Sequence, residues 1–298
     1  MRTRTNLRCV GGYYSIRGRD LWVEDRGGRS VREGTPPLLF LHGGLDHSGS
    51  LLGAFDDNLR ARHRLTAFDR SGCGRSPVAS GCFTFEDKAE QVIAFIEDYL
   101  REPAHVIGYS DGANAALVSA TRRPDLLCSM TLIGGNFHHS GLLPDVMPPL
   151  DAITSSYAGS ETARLCPEGQ EQAERNAADT WRMWANAPTL SPAELQRINT
   201  PALILAGDDE PIDPHHTVTM YESLPVARLA IVPGASHALP LEKPGLVAHL
   251  IGEFLAAWNR NPTPFVWTAS VERILAKIAR ARQRLEHIKP GCSRPPRL

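Results

Sequence analysis

The chain has 298 residues, of which 42% are hydrophobic and 22% are charged, and its formal net charge is -1 at pH 7. This length accommodates one large α/β domain with an appendage or two smaller domains, and the composition is that of a soluble globular protein. The near-zero net charge gives no reason to expect a nucleic acid or an anionic membrane as partner, and no apolar run is long enough to span a bilayer.

The N-terminal sequence MRTRTNLRCVGGYY is basic but has neither the apolar core nor the cleavage site of a signal peptide. Six cysteines occur without a C-x-x-C pair or metal-ligand spacing, at positions 9, 73, 82, 128, 166 and 292. They are interpreted as reduced thiols, and a cytoplasmic location is predicted.

Short apolar runs alternate with helical patterns, without an internal repeat. The β pattern predicts strands over 13–16, 21–24, 37–41, 65–68, 105–107, 130–133, 202–206 and 229–232. Helical periodicity covers 83–100, 114–122 and 244–257. The later strands are continuously apolar, as in parallel strands covered by helices on both faces. This alternation predicts an α/β fold with a mostly parallel, doubly wound sheet, which binds ligands beyond the carboxyl ends of its strands.

A glycine pair follows the third predicted strand, in His42-Gly43-Gly44. Flexible backbone at this position allows an N–H to turn inward, and Gly44 is predicted as one donor of an oxyanion hole. His42 is interpreted as structural, because it lies at a strand end without partner ligands at metal spacing.

The strand at 105–107 leads into the sequence GYSDG at 108–112 and then into an alanine-rich helix. G-x-S-x-G between a strand and a helix predicts a nucleophile elbow, a turn so tight that side chains beside the serine would collide with strand and helix. Ser110 is the candidate nucleophile, and the N–H of Asp111 is the second candidate oxyanion donor. A chance match is the alternative, since the pattern alone is common.

Residues 143–200, between the sixth and seventh predicted strands, are predicted to form a short helical lid. A helical pattern over 175–184 carries Trp181, Met183 and Trp184. Packing of the lid on the core is the commoner role of such aromatics, and some are expected to line a pocket as well. A lid of this size favours a compact acyl or leaving group.

The segment AGDDEPID at 206–213 contains Asp208, Asp209, Glu210 and Asp213, with no Lys or Arg among them. A solvated loop is one interpretation, because charge runs usually face water. The other is that one carboxylate orients a catalytic histidine, because a serine nucleophile needs a histidine base and that base needs an acid.

Of the eleven histidines, His237 is the candidate base, because it follows the last strand in the sequence PGASH at 233–237. His138 and His139 follow another strand end and are expected to line the pocket or face solvent. His215 and His216 are expected at the surface.

Five motifs in one order resemble the α/β-hydrolase superfamily over about residues 13–255. They are HGG at 42–44, DRSGCGRS at 69–76, the elbow, the acidic loop and PGASH. The Ser-Asp-Gly sequence of the elbow is similar to that of valacyclovir-hydrolase-like and other small esterase-like members. The chain order of serine, acid and histidine is also that of the α/β-hydrolase fold.

The resemblance implies a triad of Ser110, Glu210 and His237, with the backbone of Gly44 and Asp111 as the oxyanion hole. In the family the acid usually lies three positions after the glycine that ends the seventh strand, and counting from Gly207 reaches Glu210. Asp209 and Asp208 remain alternatives for the triad acid. Asp145, which follows the sixth strand, is a further alternative outside the acidic loop.

A serine at the elbow position favours acyl transfer to water, and it excludes the family members that use an aspartate nucleophile. The expected activity is that of a carboxylesterase-like serine hydrolase that cleaves a small ester or lactone through an acyl-enzyme, without a metal or organic cofactor. An aminoacyl amide or iminopeptidase-type hydrolase, a hydroxynitrile lyase and a cofactor-free perhydrolase stay open. A non-catalytic binding module is less favoured, because both Ser110 and His237 are present.

The predicted organisation is a hydrolase core over 1–142 and 201–257, the lid over 143–200 and an appended basic tail over 258–298. The tail resembles the C-terminal end of DDE-type insertion-sequence transposases in WNRNPTPFVWT at 258–268 and in Ile274-Leu275, but it has no DDE acids. Nine basic and two acidic residues allow a nucleic-acid arm. A helical apolar stripe that docks on the domain or on a second copy is preferred, which leaves a homodimer open; it consists of Val271, Ile274, Leu275, Ile278 and Leu285.

Overall fold

One eight-stranded sheet organises the computed structural model, which describes residues 10–27, 31, 34–260, 276 and 280. The strands are β1 Val10–Ile16, β2 Arg19–Arg26, β3 Leu38–Leu41, β4 Leu65–Phe68, β5 Ala104–Tyr109, β6 Leu127–Ile133, β7 Ala202–Asp209 and β8 Ala227–Ser236. Their order is β1-β2-β4-β3-β5-β6-β7-β8. The β1–β2 and β2–β4 pairings are antiparallel, and the other pairings are parallel. The predicted α/β class with a mostly parallel sheet is confirmed.

The described helices are α1 Ser48–Leu59, α2 Phe85–Ala94, α3 Asp111–Arg122, α4 Leu150–Ala158, α5 Gln170–Trp184, α6 Pro192–Leu195, α7 Pro214–Ser223, α8 Leu239–Glu242 and α9 Pro244–Arg260. After α2 the chain continues as a π-helical segment, Phe95–Leu100. Helix α2 begins one residue after Thr84, whose side chain accepts a hydrogen bond from the Asp87 N–H and so caps the helix.

Side chains of the central strands alternate between two cores. In β3, Leu39 and Leu41 pack with α2 and α3 on one face, whereas Leu38 and Phe40 pack with α1 and α9 on the other. Successive side chains of a strand point to opposite faces, so an unbroken apolar strand needs helices on both sides. The sheet is therefore doubly wound, as predicted.

Strands β7 and β8 extend past the ends predicted from their apolar runs. Asp209 pairs with Ser236 beyond a register shift that follows Gly207. Backbone pairing carries these polar residues, which a hydrophobic pattern does not detect. The pairing brings the ends of the acidic loop and of the PGASH segment together.

The connection between β6 and β7 contains α4, α5 and α6, so the segment predicted as a lid is helical. The Trp181 indole N–H donates to the Pro148 carbonyl at 2.8 Å, which ties α5 to the segment before α4. Met183 is buried against Phe85 of α2. The first contact holds the segment together, and the second packs it onto the core.

Helix α9 continues to Arg260, three residues past the predicted end at 257. The other predictions for the tail lie outside the described residues, apart from 276 and 280, and remain predictions. Cys9 and Cys292 also lie outside; the four cysteines that the structure describes are free thiols. Among the described helices, none has the length and apolarity needed to cross a membrane.

Candidate active site

The turn between β5 and α3 requires glycine two positions before and two positions after Ser110. A Cβ at Gly108 would clash with the Gly112 backbone, and a Cβ at Gly112 would clash with the Leu41 carbonyl. Ser110 itself has a positive φ of 52°, and its N–H donates to the Ile133 carbonyl at 2.8 Å. Sheet and helix therefore hold Ser110 in a strained turn at the carboxyl edge of the sheet.

Ser110, His237 and Glu210 are hydrogen-bonded in series. The Oγ of Ser110 lies 3.1 Å from Nε2 of His237, and Nδ1 of His237 lies 2.5 Å from Oε2 of Glu210. The three residues follow β5, β8 and β7, so they meet at one edge of the sheet. Because a carboxylate only accepts, Nδ1 carries the proton and Nε2 is free to accept from the serine hydroxyl.

Glu210 is held on both carboxylate oxygens. Its Oε1 accepts from the Gly207 N–H at 3.1 Å while Oε2 contacts His237, and the side chain is 4% exposed. Asp145, the alternative triad acid outside the acidic loop, is exposed. The structure thus brings the carboxylate chosen by register to the histidine.

The other acids of the loop have structural contacts. Asp208 is buried and accepts from the backbone N–H groups of Gly234 and Ala235 at 2.7 and 3.3 Å. Asp213 caps α7 by accepting from the His215 N–H at 2.9 Å. The interpretation of this segment as a solvated loop is wrong, because Asp208 and Glu210 are both buried and hydrogen-bonded.

The two predicted oxyanion donors lie on adjacent segments. A Cβ at Gly43 would lie 3.7 Å from Cβ of Ser110, and one at Gly44 would lie 2.9 Å from Oδ2 of Asp111. Within the described part of the chain, the N–H groups of Gly44 and Asp111 donate no hydrogen bond. No described residue competes for these two N–H groups, which an oxyanion hole requires.

His42 is fully buried and supports this segment instead of facing the cavity. Its Nε2 accepts from the Arg70 N–H at 3.1 Å, and burial followed by the Arg70 charge lowers the pKa of His42 well below its usual value. Nη2 of Arg70 donates to the carbonyls of His42 and Gly43 at 2.7 and 3.0 Å. These bonds fix the backbone that leads to Gly44, in line with the structural role expected for His42.

A cavity of about 260 Å³ opens beside Ser110 and His237. Its polar side is formed by Asp111 and by Asn114 and Asn136, whose side chains are joined by a 2.9 Å hydrogen bond. Its apolar side comes from the connection between β6 and β7 and from the loop after β7, and consists of Leu142, Val146, Met147, Pro148, Trp184, Ala187, Pro211 and Ile212. The cavity suits a small, largely apolar ligand with one polar edge.

The other histidines that the structure describes do not line this cavity. His138 and His139 are half-buried and stack on each other, and Nδ1 of His138 contacts the Ser140 hydroxyl at 2.8 Å. His215 is exposed, but His216 stacks on Phe137 at 3.9 Å, and burial lowers its pKa to about 4. The surface position expected for His216 is therefore wrong.

Sequence reasoning missed three residues around the site. Asn114 lies one helical turn after Ser110, so helix periodicity pointed to it, whereas nothing local marked Asn136 or Lys88. Lys88 of α2 pairs with Asp111 at 2.6 Å across 23 positions of sequence. Among the described residues, no group of three or more His, Cys, Asp or Glu side chains is arranged to bind a metal.

Comparison with known proteins gives a consistent picture. The model of the alpha/beta hydrolase family matches residues 38–250. A relative from Pseudomonas savastanoi pv. phaseolicola, named "Putative carbamate hydrolase RutD", is 26% identical over 244 residues, which cover 74% of this chain and 94% of the relative.

Solved structures of low sequence identity share the fold. An alpha/beta hydrolase from a Medee basin deep-sea metagenome library superposes with a TM-score of 0.70 at 18% identity, covering 87% of this chain and 100% of its own. Naproxen esterase from Bacillus subtilis superposes with a TM-score of 0.62 at 21% identity, covering 84% and 92%. The family match ends at residue 250, before the tail, and does not bear on the resemblance of the tail to transposases.

Proposed function

The chain belongs to the α/β-hydrolase family, and we propose that it is a serine hydrolase that cleaves a small carboxylic ester or lactone through an acyl-enzyme. The observation that carries this proposal is the hydrogen-bonded series of Ser110, His237 and Glu210 at the mouth of the cavity. Ser110 is the nucleophile, His237 the general base and then acid, and Glu210 the residue that orients His237.

Acylation begins when Ser110 Oγ attacks the substrate carbonyl carbon and Nε2 of His237 accepts the hydroxyl proton. The negative charge on the carbonyl oxygen is stabilised by the N–H groups of Gly44 and Asp111. The carbon–oxygen bond to the leaving group then breaks, and the imidazolium of His237 protonates the departing alcohol oxygen. The carboxylate of Glu210 stabilises the imidazolium between these two proton transfers.

Deacylation repeats these steps with water. His237 takes a proton from the water molecule as its oxygen attacks the acyl carbon, and the second tetrahedral intermediate collapses by returning the proton to Ser110 Oγ. The products are a carboxylic acid and free enzyme. Every proton and electron pair is carried by side chains present in the chain, so the reaction needs no metal or organic cofactor.

The small cavity and its apolar lid side support a compact substrate. The name of the Pseudomonas savastanoi relative makes small carbamates a class to test, and naproxen esterase makes carboxylic esters another. Aminoacyl amides and peracid formation are the remaining alternatives. The proposed partner is a small molecule rather than a nucleic acid or membrane, and the possible homodimer stays a prediction.

A substrate panel tests the proposal. The wild-type protein and Ser110→Ala are assayed with p-nitrophenyl esters of increasing acyl length, lactones, small carbamates and aminoacyl amides, and with hydrogen peroxide as an alternative acyl acceptor. We expect short esters or lactones to give the highest kcat/KM, with no turnover by Ser110→Ala. Preference for aminoacyl amides or carbamates would change the substrate class, and equal activity of the variant would remove the mechanism.

A further inference from the structure

Asp111 carries a buried carboxylate at the wall of the cavity, and both of its oxygens are engaged by the protein. Oδ2 lies 2.6 Å from Nζ of Lys88, and Oδ1 accepts from the indole N–H of Trp184 at 2.6 Å. The side chains of Lys88 and Asp111 are 2% and 3% exposed. Lys88 reaches this position from α2, where its ammonium also lies 5.2 Å from the centre of the Phe85 ring.

A carboxylate beside Ser110 without such partners would affect the site in two ways. It would attract a substrate cation into the cavity, because opposite charges at contact distance interact strongly where water is excluded. It would also oppose the negative charge that develops at the oxyanion donors, one of which is the N–H of Asp111 itself. Lys88 therefore neutralises a charge that would otherwise determine which substrates bind.

We propose that Lys88 is a specificity-determining residue that occupies Asp111 as an internal ammonium, so that the site accepts uncharged acyl groups and rejects cationic ones. This inference rests on the proposed ester hydrolysis and specifies its substrate class. A cationic acyl group would enter a cavity whose lining carboxylate, Asp111, is already paired. The cation would lose its hydration without gaining an ion pair.

A buried guanidinium beside the segment that carries Gly44 supports the same conclusion. Arg70 is fully buried, and among the described residues no Asp or Glu lies within ion-pair distance of it. Buried Asp69 is paired with Arg75 at 3.1 Å. The Arg70 guanidinium donates to the carbonyls of His42 and Gly43, so it adds a buried positive charge beside the segment that carries Gly44. This charge favours an oxyanion and disfavours a substrate cation.

Two esters of equal shape test the inference. The p-nitrophenyl esters of butanoate and of 3-aminopropanoate differ by the replacement of a terminal methyl group with an ammonium group. Each kcat/KM is divided by the rate constant for spontaneous hydrolysis of the same ester. This division corrects the comparison for the greater intrinsic reactivity of the cationic ester. We expect the wild-type protein to prefer the neutral ester by about 10-fold or more, equivalent to about 1.4 kcal/mol.

Lys88→Met keeps an unbranched side chain, one heavy atom shorter than that of lysine, and removes its charge. We expect this variant to lower the neutral-to-cationic ratio by about 10-fold or more, because Asp111 becomes available to a substrate ammonium. The double variant Lys88→Met/Asp111→Asn should restore the preference for the neutral ester, since it removes both charges. Arg122→Met removes a basic charge from the exposed side of α3 and serves as the matched control, with a ratio within twofold of wild type.

The inference is overturned if folded Lys88→Met keeps the wild-type ratio, or if the wild-type protein cleaves both esters equally. If Lys88→Met does not fold, Asp111→Asn and the double variant are used instead. A neutral-to-cationic ratio that shifts toward the cationic ester in either variant also overturns the inference. Binding of butanamide and 3-aminopropanamide, followed by saturation-transfer NMR, repeats the comparison without turnover. If no ester is hydrolysed but the protein still binds butanamide in preference to 3-aminopropanamide, the proposed function is refuted and the role of Lys88 stands.

Discussion

The carboxylate of Glu210 contacts the ring of His237 through one oxygen, at 2.5 Å from Nδ1, and the backbone of β7 through the other, at 3.1 Å from the Gly207 nitrogen. A glutamate is one methylene longer than an aspartate, so its carboxylate can return to the strand end and still reach the histidine. Both bonds hold the carboxylate in one orientation, which fixes the tautomer of His237 that leaves Nε2 facing Ser110.

We predict that Glu210→Gln lowers kcat by roughly 10²-fold or more, because the amide no longer stabilises the imidazolium formed during acyl transfer. Asp209→Asn, at the neighbouring position, is the matched control and should change kcat much less. Steady-state kinetics on the best ester of the panel measures both variants. A reversed order would assign the role to Asp209, and near-normal kcat in both would require an acid outside the loop.

The glycines of the elbow should be irreplaceable, whereas a helical glycine should tolerate substitution. Gly112→Ala forces a Cβ against the Leu41 carbonyl and should destabilise the fold by roughly 3 kcal/mol or more, or prevent folding. Gly53→Ala, in α1 with open space around it, should be neutral or stabilising by up to about 1 kcal/mol. Urea unfolding compares them; equal stabilities would refute the steric account of the turn.

The stability of the protein should fall as the pH is lowered through the range in which histidine is protonated. Burial lowers the pKa of His105 from 6.5 to about 4, so the unfolded chain binds a proton in this range more readily than the folded one. This contribution to stability is fully present above about pH 6.5 and is lost as the pH falls toward 4. The loss at pH 4.5, relative to neutral pH, amounts to roughly 2–3 kcal/mol.

Urea unfolding at pH 7 and pH 4.5 measures this effect. His105→Gln should lose less stability than the wild-type protein over the same interval, by roughly 2 kcal/mol. His215→Gln, at an exposed position, is the control and should follow the wild type. An unchanged pH dependence in His105→Gln would show that this imidazole is not held neutral by burial.

Trp184→Phe should impair catalysis more than Trp181→Phe does. Both tryptophans belong to α5, but the indole of Trp184 donates to Asp111 whereas that of Trp181 donates to the Pro148 carbonyl. Loss of the first bond leaves a buried carboxylate oxygen unsatisfied beside the oxyanion donors, and we expect kcat/KM to fall on the order of 10-fold. Equal effects in the two variants would assign both indoles to packing of the lid segment alone.

Residues that follow a strand end were predictable from the sequence, because local pattern determines both the strand and the turn. The elbow at Ser110 is such a case, because G-x-S-x-G between a strand and a helix marks both glycines, although the carbonyl that excludes a Cβ at Gly112 belongs to Leu41 of β3. Glu210 and His237 also follow strand ends, and the family register selected the acid. The sequence left open whether the acidic loop is solvated, because the hydrogen bond from the Gly234 N–H to Asp208 joins segments that are 26 positions apart.

The charge balance of the site was not predictable, because it depends on contacts between distant elements. Lys88 is one charge in an amphipathic helix, and only the packing of α2 on α3 brings it to Asp111. The stacking of His216 on Phe137 likewise joins α7 to the segment after β6 across 79 positions. No periodicity within either segment contains this information.

Rapid-quench analysis of a p-nitrophenyl ester by mass spectrometry tests the central claim most directly. We predict a burst of about one equivalent of p-nitrophenol and an acyl group on the peptide that contains Ser110. Ser110→Ala should give neither the burst nor the adduct while keeping the far-ultraviolet circular dichroism of the wild-type fold. Undiminished turnover by Ser110→Ala, or an adduct on another residue, would contradict the account.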